Sequence, residues 1–319
     1  MSQIKIIINR SELGAGTRGS SLGADALEIS AINRKEGFFN QFPVAEVEHN
    51  NRLLYQEDET PDAHYLEGII EVHERLEKEI TISLRDDRMP VVLSGDHSNA
   101  AGTIAALKKN IGSKRLGVIW VDAHGDLHSP YTSPSGNVHG MPLAISLAAD
   151  NKAHGEKSPG TRTVRLWNDA KGLHGIEPKI LPEDLVMFAV RSTEKPEDEL
   201  MKEKGIKNYS VPELRYRGIR TCLDEAFEKL KDCDWIYLSF DVDAMDSLMV
   251  SEGTGTPVEK GLDPDETREL LSTIVKETKL LCMEFVEINP LLDNKGNHMA
   301  DVAFDLLKDL TQLITDSPD

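Results

Sequence analysis

Short runs of apolar residues recur along the chain and show no alternation with polar residues. A strand whose two faces are both buried has this pattern, as in the parallel sheets of α/β proteins. The pattern therefore predicts six buried strands. They span residues 4–8, 91–93, 116–121, 185–190, 235–240 and 280–286.

Between these runs, apolar residues recur at helical spacing. Five of them fall on one face of a helix predicted over 62–85: Leu66, Ile69, Ile70, Leu76 and Ile80. Alternating strands and helices predict an α/β fold with three layers, in which helices cover both faces of a central, mainly parallel sheet. No repeat or linker interrupts residues 1–319, which are predicted to form a single domain with a polar excursion at 151–179. Further helices are predicted over 98–110, 142–150, 221–231, 264–277 and 299–314.

Charge and composition narrow the possible partners. The chain has 55 acidic and 36 basic residues and a net charge of -19, which argues against nucleic acid and anionic membranes as partners. Its three cysteines contain no Cys-x-x-Cys pair, so neither a disulfide framework nor a zinc ribbon is expected. No apolar run approaches the roughly 20 residues that span a bilayer, and the first apolar run is too short for a signal peptide. These features predict a cytoplasmic protein.

Residues of the types that bind metals follow three of the predicted strands. Three of them stand at alternate positions directly after one strand, where an extended backbone projects them to the same side. Because ligands of open parallel sheets bind beyond the carboxyl ends of the strands, we expect all six side chains to converge. The six are His97, Asp122, His124, Asp126, Asp241 and Asp243.

Two imidazoles and four carboxylates favour a particular kind of metal centre. The set is too rich in oxygen for structural zinc and suits a hard or borderline divalent ion such as Mn²⁺, although Ni²⁺ or Co²⁺ could use the same ligands. Six side chains are many for one ion that must keep a water, so two ions sharing carboxylates fit better. The alternative is that each aspartate only caps a helix after a strand, which the repeated pattern disfavours.

Six motifs, in order, resemble those of the arginase (ureohydrolase) family. The resemblance implies an arginase-like fold, two Mn²⁺ ions per chain and hydrolysis of a guanidino group to urea and an amine by attack of metal-bound hydroxide. It also implies a homo-oligomer, a trimer or a hexamer. The motifs are Gly95-Asp96-His97-Ser98, Asp122-Ala-His124-Gly-Asp126, Ser135-Gly-Asn137-Val-His139-Gly140, Ser239-Phe-Asp241-Val-Asp243, Gly253-Thr-Gly-Thr256-Pro257 and Glu284-Phe-Val-Glu287-Ile-Asn-Pro290.

The same resemblance implies roles for individual residues. His139 resembles the proton shuttle of the family, and Glu287 the carboxylate that faces the substrate guanidinium. Asp126 would also accept a hydrogen bond from the hydroxide, while Thr256 would contact the substrate or only shape a glycine-rich turn. The two ligand sets would be His97, Asp122, Asp126 and Asp241 for one ion, and Asp122, His124, Asp241 and Asp243 for the other.

The substrate-facing positions favour arginine, with three departures from the family pattern. Ser135 and Asn137 can donate to an α-carboxylate, so the predicted products are ornithine and urea. First, Glu194 stands where the family usually has an aspartate that faces the α-amino group, and Glu197, further along, would assist it. Second, His128 stands where the family usually has an asparagine. Third, the excursion at 151–179 is longer than expected. Another ureohydrolase, acting on agmatine, guanidinobutyrate, guanidine or a formimino acid as in formimidoylglutamase, is the alternative. A deacetylase and a noncatalytic family member are less favoured.

Overall fold

The centre of the structure, a computed structural model that describes residues 3–316, is one sheet of eight strands. All neighbouring strands are parallel, in the order β2-β1-β3-β8-β7-β4-β5-β6. The predicted α/β fold is confirmed, with a sheet that is wholly rather than mainly parallel. The strands are β1 (Gln3–Asn9), β2 (Val44–Val47), β3 (Arg88–Ser94), β4 (Leu116–Val121), β5 (Leu185–Phe188), β6 (Lys207–Tyr209), β7 (Trp235–Asp241) and β8 (Leu280–Val286).

Ten α-helices within residues 3–316 surround the sheet. Separate clusters of buried aliphatic side chains pack on its two faces, which gives the three predicted layers. None of these helices combines the length and apolar character that a bilayer crossing requires. The helices are α1 (Gly23–Asn33), α2 (Leu66–Arg85), α3 (Ala100–Ile111), α4 (Pro142–Ser146), α5 (Thr161–Lys171), α6 (Lys195–Lys204), α7 (Val211–Arg217), α8 (Ile219–Lys229), α9 (Pro264–Glu277) and α10 (His298–Asp316).

Several helices and strands end at other residues than the sequence predicts, because the backbone there has a conformation that interrupts the element. A non-glycine residue takes a left-handed φ at three of them, which neither a regular helix nor a strand accommodates. The element therefore begins after or stops before that residue. The three are Tyr65 (φ 53°), Ala148 (φ 54°) and Ala189 (φ 70°), which shorten the helix predicted over 62–85, the helix predicted over 142–150 and the strand predicted over 185–190.

The excursion at 151–179 is more regular than its polar composition indicates. It contains α5, which buries Leu166, Trp167 and Ala170 in a cluster with residues of α2, α3 and α4. The short edge strands β2 and β6 were also not predicted, because neither contains a long apolar run. In β6, only Tyr209 is buried.

Sheet order explains why distant parts of the sequence meet. Strands β3, β8, β7, β4 and β5 are consecutive neighbours in the sheet. In a parallel sheet their carboxyl ends lie along one edge, where a ligand site is expected. The residues that follow these strands, although far apart in sequence, are therefore adjacent in space.

Helices α2 and α3 pack closely around His73. A side chain at Gly102 would place its Cβ 2.6 Å from the His73 ring, so glycine makes the close approach possible. The ring is buried, and its Nε2 lies 3.0 Å from the carbonyl of Ser98, to which it donates. Burial lowers the pKa of His73 to about 3. This neutral imidazole therefore supports the turn that begins at His97.

We expect His73 to make the protein less stable in acid. Its pKa is about 3 when folded and 6.5 as a free side chain, so the unfolded chain binds the proton first. Its stabilisation is complete above pH 6.5 and is lost as the pH falls towards 3. Between pH 6.5 and about pH 5, this site should remove about 2 kcal/mol from the free energy of unfolding. Urea denaturation at both pH values measures the loss, and equal losses for the wild type and H73Q would contradict this account.

Candidate metal centre and substrate cavity

Two groups of three potential metal ligands lie at the carboxyl edge of the sheet and share Asp122. One contains His97, Asp122 and Asp241, and the other contains Asp122, His124 and Asp243. Within each group the ligand atoms lie within 4.8 Å of one another. Asp122 Oδ2 is 2.9 Å from His97 Nδ1, and Asp122 Oδ1 is 3.6 Å from His124 Nδ1. The carboxylate of Asp122 therefore stands between the two groups, as a bridging ligand would.

Asp126, Asp241 and Asp243 also lie within contact distance of the two histidines. Asp126 Oδ2 lies 3.1 Å from His97 Nδ1, and Asp241 Oδ2 lies 3.3 Å from the same nitrogen. Asp243 Oδ2 is 3.0 Å from His124 Nδ1. Asp126 reaches the cluster from a left-handed backbone (φ 51°) that turns the chain after β4. The structure thus brings together all six residues that the sequence singled out.

Three buried atoms of this cluster make no hydrogen bond within residues 3–316. They are His97 Nδ1, Asp122 Oδ2 and Asp126 Oδ2. The two oxygens lie 2.9 and 3.1 Å from the nitrogen, but outside hydrogen-bond geometry. Buried polar atoms that converge without bonding to one another are placed as ligands around a common centre. The donor set, imidazole nitrogen with several carboxylate oxygens, fits a divalent cation such as Mn²⁺.

The charges of the cluster also fit a bound cation. Burial, Asp243 and Asp122 raise the pKa of Asp241 well above its usual range. Burial and Asp122 raise the pKa of Asp126 to about 7. Burial alone would lower the pKa of His97, but the neighbouring carboxylates outweigh it and raise that pKa. Carboxylates at this spacing require positive charge, from protons or from cations.

His97 is held from the side opposite the cluster. Its Nε2 lies 2.8 Å from the hydroxyl oxygen of Ser239, and its ring stacks on Trp120 with centroids 4.1 Å apart. The hydrogen bond leaves Nδ1 to face the carboxylates. Partners of this kind fix the orientation of a ligating imidazole. Ser239 and Trp120 lie on the neighbouring strands β7 and β4, so the sheet itself orients His97.

His139 and Glu287 form a second pair beside the cluster. His139 Nδ1 is 3.3 Å from Glu287 Oε1, which also accepts the backbone N–H of His97 at 3.0 Å. Burial would lower the pKa of His139, but Glu287 outweighs it and raises that pKa to about 9. The backbone N–H of His139 donates to the carbonyl of Gly14, whose own N–H donates to Asp96. A charged imidazole is therefore held next to the cluster by both its ring and its backbone.

A cavity of about 250 Å³ opens over the cluster. Every predicted substrate-contact residue except Glu287 lies in its wall. Glu287 is buried, with Oε2 close to Gly255. Five further wall residues were not predicted: Ser133, Pro134, Gly140, Ser192 and Thr193. The predicted ones are His128, Ser135, Asn137, Glu194, Glu197 and Thr256.

Some of these wall residues already have structural partners. Both oxygens of Glu197 accept backbone N–H groups, from Leu127 at 3.1 Å and from Glu194 at 3.0 Å, and burial raises its pKa to about 7. The hydroxyl of Thr256 donates to the ligand Asp243 at 3.2 Å. Glu194, which forms a capping box with Glu197 at the start of α6, has a half-exposed side chain that lies 3.6 Å from His128 Nε2. Of the two glutamates, Glu194 is the freer to contact a ligand.

Arg191 supports the cluster from the side away from the cavity. The only signal for it in the sequence was its position directly after the strand predicted over 185–190. Its guanidinium donates to six backbone carbonyls, among them those of Asp243, Val258 and Glu259 at 2.9 Å each. Five of the six belong to the segment after β7 and to the loop that precedes α9, and the sixth is the carbonyl of Ala189. One side chain thus ties together the segment that carries Asp243 and the loop next to Thr256.

The sequence and the structure were compared with those of known proteins, and the matches belong to one family of enzymes. Residues 6–312 match the arginase family. The chain is 35% identical to the arginase of Bacillus caldovelox, over 97% of this chain and 98% of that protein. It is 32% identical to the arginase of Bacillus subtilis (strain 168), over 96% and 97% respectively. A crystal structure of the B. subtilis arginase superposes with a TM-score of 0.82 over 99% of both chains, at 32% identity. The chain belongs to the arginase family, which confirms the resemblance of its motifs.

We expect R191K to destabilise the protein even though it keeps the positive charge. Lysine offers three donors from one point and cannot serve carbonyls on both sides of a planar fork. The loss should be about 2–3 kcal/mol in the free energy of unfolding, measured by urea denaturation. The matched control is R220K, because Arg220 is exposed and pairs with side chains only on the surface. Equal stability of the two variants would show that the carbonyl contacts of Arg191 contribute nothing.

Proposed function

We propose that the protein is a manganese-dependent arginase, which hydrolyses L-arginine to L-ornithine and urea. The observation that carries this proposal is the position of Asp122 between two groups of metal ligands on the floor of a cavity. His139 and Glu287 stand beside that floor as a proton donor and a guanidinium acceptor. Membership of the arginase family supports the same reaction.

The six clustered side chains would hold two Mn²⁺ ions. When bound, two such cations lower the pKa of water and so supply hydroxide near neutral pH. Asp126 would also accept a hydrogen bond from the attacking water and take up its proton. The proposed sets are His97, Asp122, Asp126 and Asp241 for one ion, and Asp122, His124, Asp241 and Asp243 for the other.

Glu287 and His139 would act on the guanidino group itself. A carboxylate matches a guanidinium in shape and charge, so Glu287 would bind and orient the substrate. His139, with a pKa raised to about 9 by Glu287 against the effect of burial, carries a proton at neutral pH. It would deliver this proton to the leaving amine, which is the step that an imidazolium performs well.

The outer part of the cavity supports an amino acid as the substrate. Ser135 and Asn137 offer a hydroxyl and an amide for the α-carboxylate. Glu194 offers a half-exposed carboxylate for the α-ammonium group. His128 lies between Glu194 and Glu197, 3.6 and 3.4 Å from their oxygens, and would complete this end of the cavity.

Three further features follow from the family and from composition. We propose a homo-oligomer, a trimer or a hexamer, because the family forms such assemblies. The predicted single domain over residues 1–319 and the predicted cytoplasmic location stay predictions. The net charge of -19 supports a small-molecule substrate rather than a nucleic acid.

Removing Asp122 should weaken metal binding at both positions. D122N deletes a charge from both ligand groups, so we expect its manganese content to fall from about two ions per chain to below about one. Elemental analysis after manganese loading and gel filtration measures this. Thermal denaturation is the second readout, since a cation that binds only the folded state raises the melting temperature. D169N, on the exposed side of α5, is the matched control. Manganese content equal to that of the wild type in D122N would remove the basis of the proposed centre.

Urea release from three guanidino compounds tests the substrate. Arginine should be preferred to agmatine, which lacks the α-carboxylate, and to 4-guanidinobutyrate, which lacks the α-amino group. E194Q should raise the KM for arginine and agmatine by about tenfold and leave 4-guanidinobutyrate unchanged, because only the first two carry the ammonium group. E199Q, on α6 and outside the cavity, is the control. Preference for another compound would keep the hydrolase and replace arginine as its substrate.

A further inference from the structure

The loop of residues 133–137 forms one wall of the substrate cavity through Ser135 and Asn137. Its backbone also contacts a separate group of residues that does not line the cavity. Asp58, Asp62 and His64 of this group lie on the segment before α2, and Lys157 lies on the excursion before α5. We call these four residues the outer clamp. None of the motifs that resemble the arginase family includes them.

The outer clamp holds three successive carbonyls of the loop. Lys157 Nζ donates to the carbonyl of Pro134 at 3.3 Å. His64 Nε2 lies 3.0 Å from the carbonyl of Ser135, and the backbone N–H of His64 donates to the carbonyl of Gly136 at 2.8 Å. The loop is therefore fixed through its backbone, which leaves its side chains available to the cavity.

Each of the two side chains that hold the loop, His64 and Lys157, has an aspartate behind it. His64 Nδ1 lies 2.5 Å from Asp58 Oδ2, and Lys157 Nζ lies 3.5 Å from Asp62 Oδ1. Asp58 is itself anchored, since its Oδ1 accepts the backbone N–H groups of Thr60 and Tyr65. Both nitrogens of the His64 ring face an oxygen, so the ring is held between Asp58 and the carbonyl of Ser135.

The loop and the segment before α2 are also packed without spare room. Gly136 has a left-handed φ of 79°, and a Cβ at this position would lie 2.2 Å from the carbonyl oxygen of Pro61. Further along, the backbone N–H of Asn137 donates to the hydroxyl oxygen of Ser135 at 3.1 Å. A displacement of the carbonyls would therefore move both side chains that face the substrate.

We propose that His64 is a positioning residue, which fixes Ser135 and Asn137 where they bind the α-carboxylate of a guanidino amino acid. This proposal rests on the proposed function, because it concerns the same cavity. Recognition by two short side chains depends on their placement to within about 0.5 Å, since neither can extend to follow a displaced carboxylate. His64 acts on the substrate only through the loop. Its loss should weaken binding and leave the reaction at the metal centre unchanged.

Two variants of His64 test the proposal by kinetics. H64A should raise the KM for arginine about tenfold and keep kcat within about twofold of the wild type. The KM for agmatine should stay unchanged, because agmatine has no α-carboxylate. H64Q keeps one donor for the carbonyl of Ser135 and should fall between H64A and the wild type. H154Q is the control, since His154 lies close to Lys157 in sequence but faces Glu203.

Hydrogen exchange provides a readout that does not depend on turnover. In H64A the amides of residues 136–139 should exchange about tenfold faster than in the wild type, while those of α9 should not change. Unchanged exchange, an unchanged KM for arginine, or equal increases for arginine and agmatine would each overturn the role of His64. If the wild type releases no urea from any guanidino compound, the proposed function fails, and faster exchange in H64A would still support the outer clamp.

Discussion

Buried negative charge is the constraint on which the rest of this structure depends. Asp122, Asp126, Asp241 and Asp243 are all buried at one edge of the sheet, with their oxygens around two imidazoles. Isolated carboxylates in such a place are strongly disfavoured, so they must share protons or bind cations. The raised pKa values of Asp126 and Asp241 express this need. A fold that keeps these groups together must resist their repulsion with rigid backbone.

The parallel sheet provides that rigidity. Strands β8 and β7 lie between β3 and β4, although they follow both in sequence. As a result Glu287 accepts the backbone N–H of His97 across 190 positions of sequence, and Ser239 lies beside the ring of the same histidine. Arg191 then fixes the loops that leave the sheet. The ligands are thus attached to elements whose positions the core determines, as pre-organised sites require.

How much could be predicted from sequence depended on the range of the interactions. The ligands were recognisable because Asp122, His124 and Asp126 follow a buried run at alternate positions, which is a local pattern. The end of β5 was wrong by two residues because Ala189 takes a left-handed φ that no composition rule indicates. No pattern in the sequence singled out His64, since its partner Ser135 is 71 positions away. Local periodicity fixes the elements and their ends only approximately, and long-range contacts determine which polar side chains support the site.

The two ends of the cavity are therefore built differently, and this difference bears on how members of such a family diverge. The floor is attached to strand ends within the core, where changing one ligand would expose the others to unbalanced charge. The outer wall consists of loops held by a few polar side chains, such as the bond from His64 to the loop that carries Ser135. A substitution there alters contacts with the substrate without disturbing the buried carboxylates. Glu194 and His128, which depart from the family pattern, both lie in this outer part. Contacts in the outer part of the cavity can thus change on this scaffold while the buried carboxylates are retained.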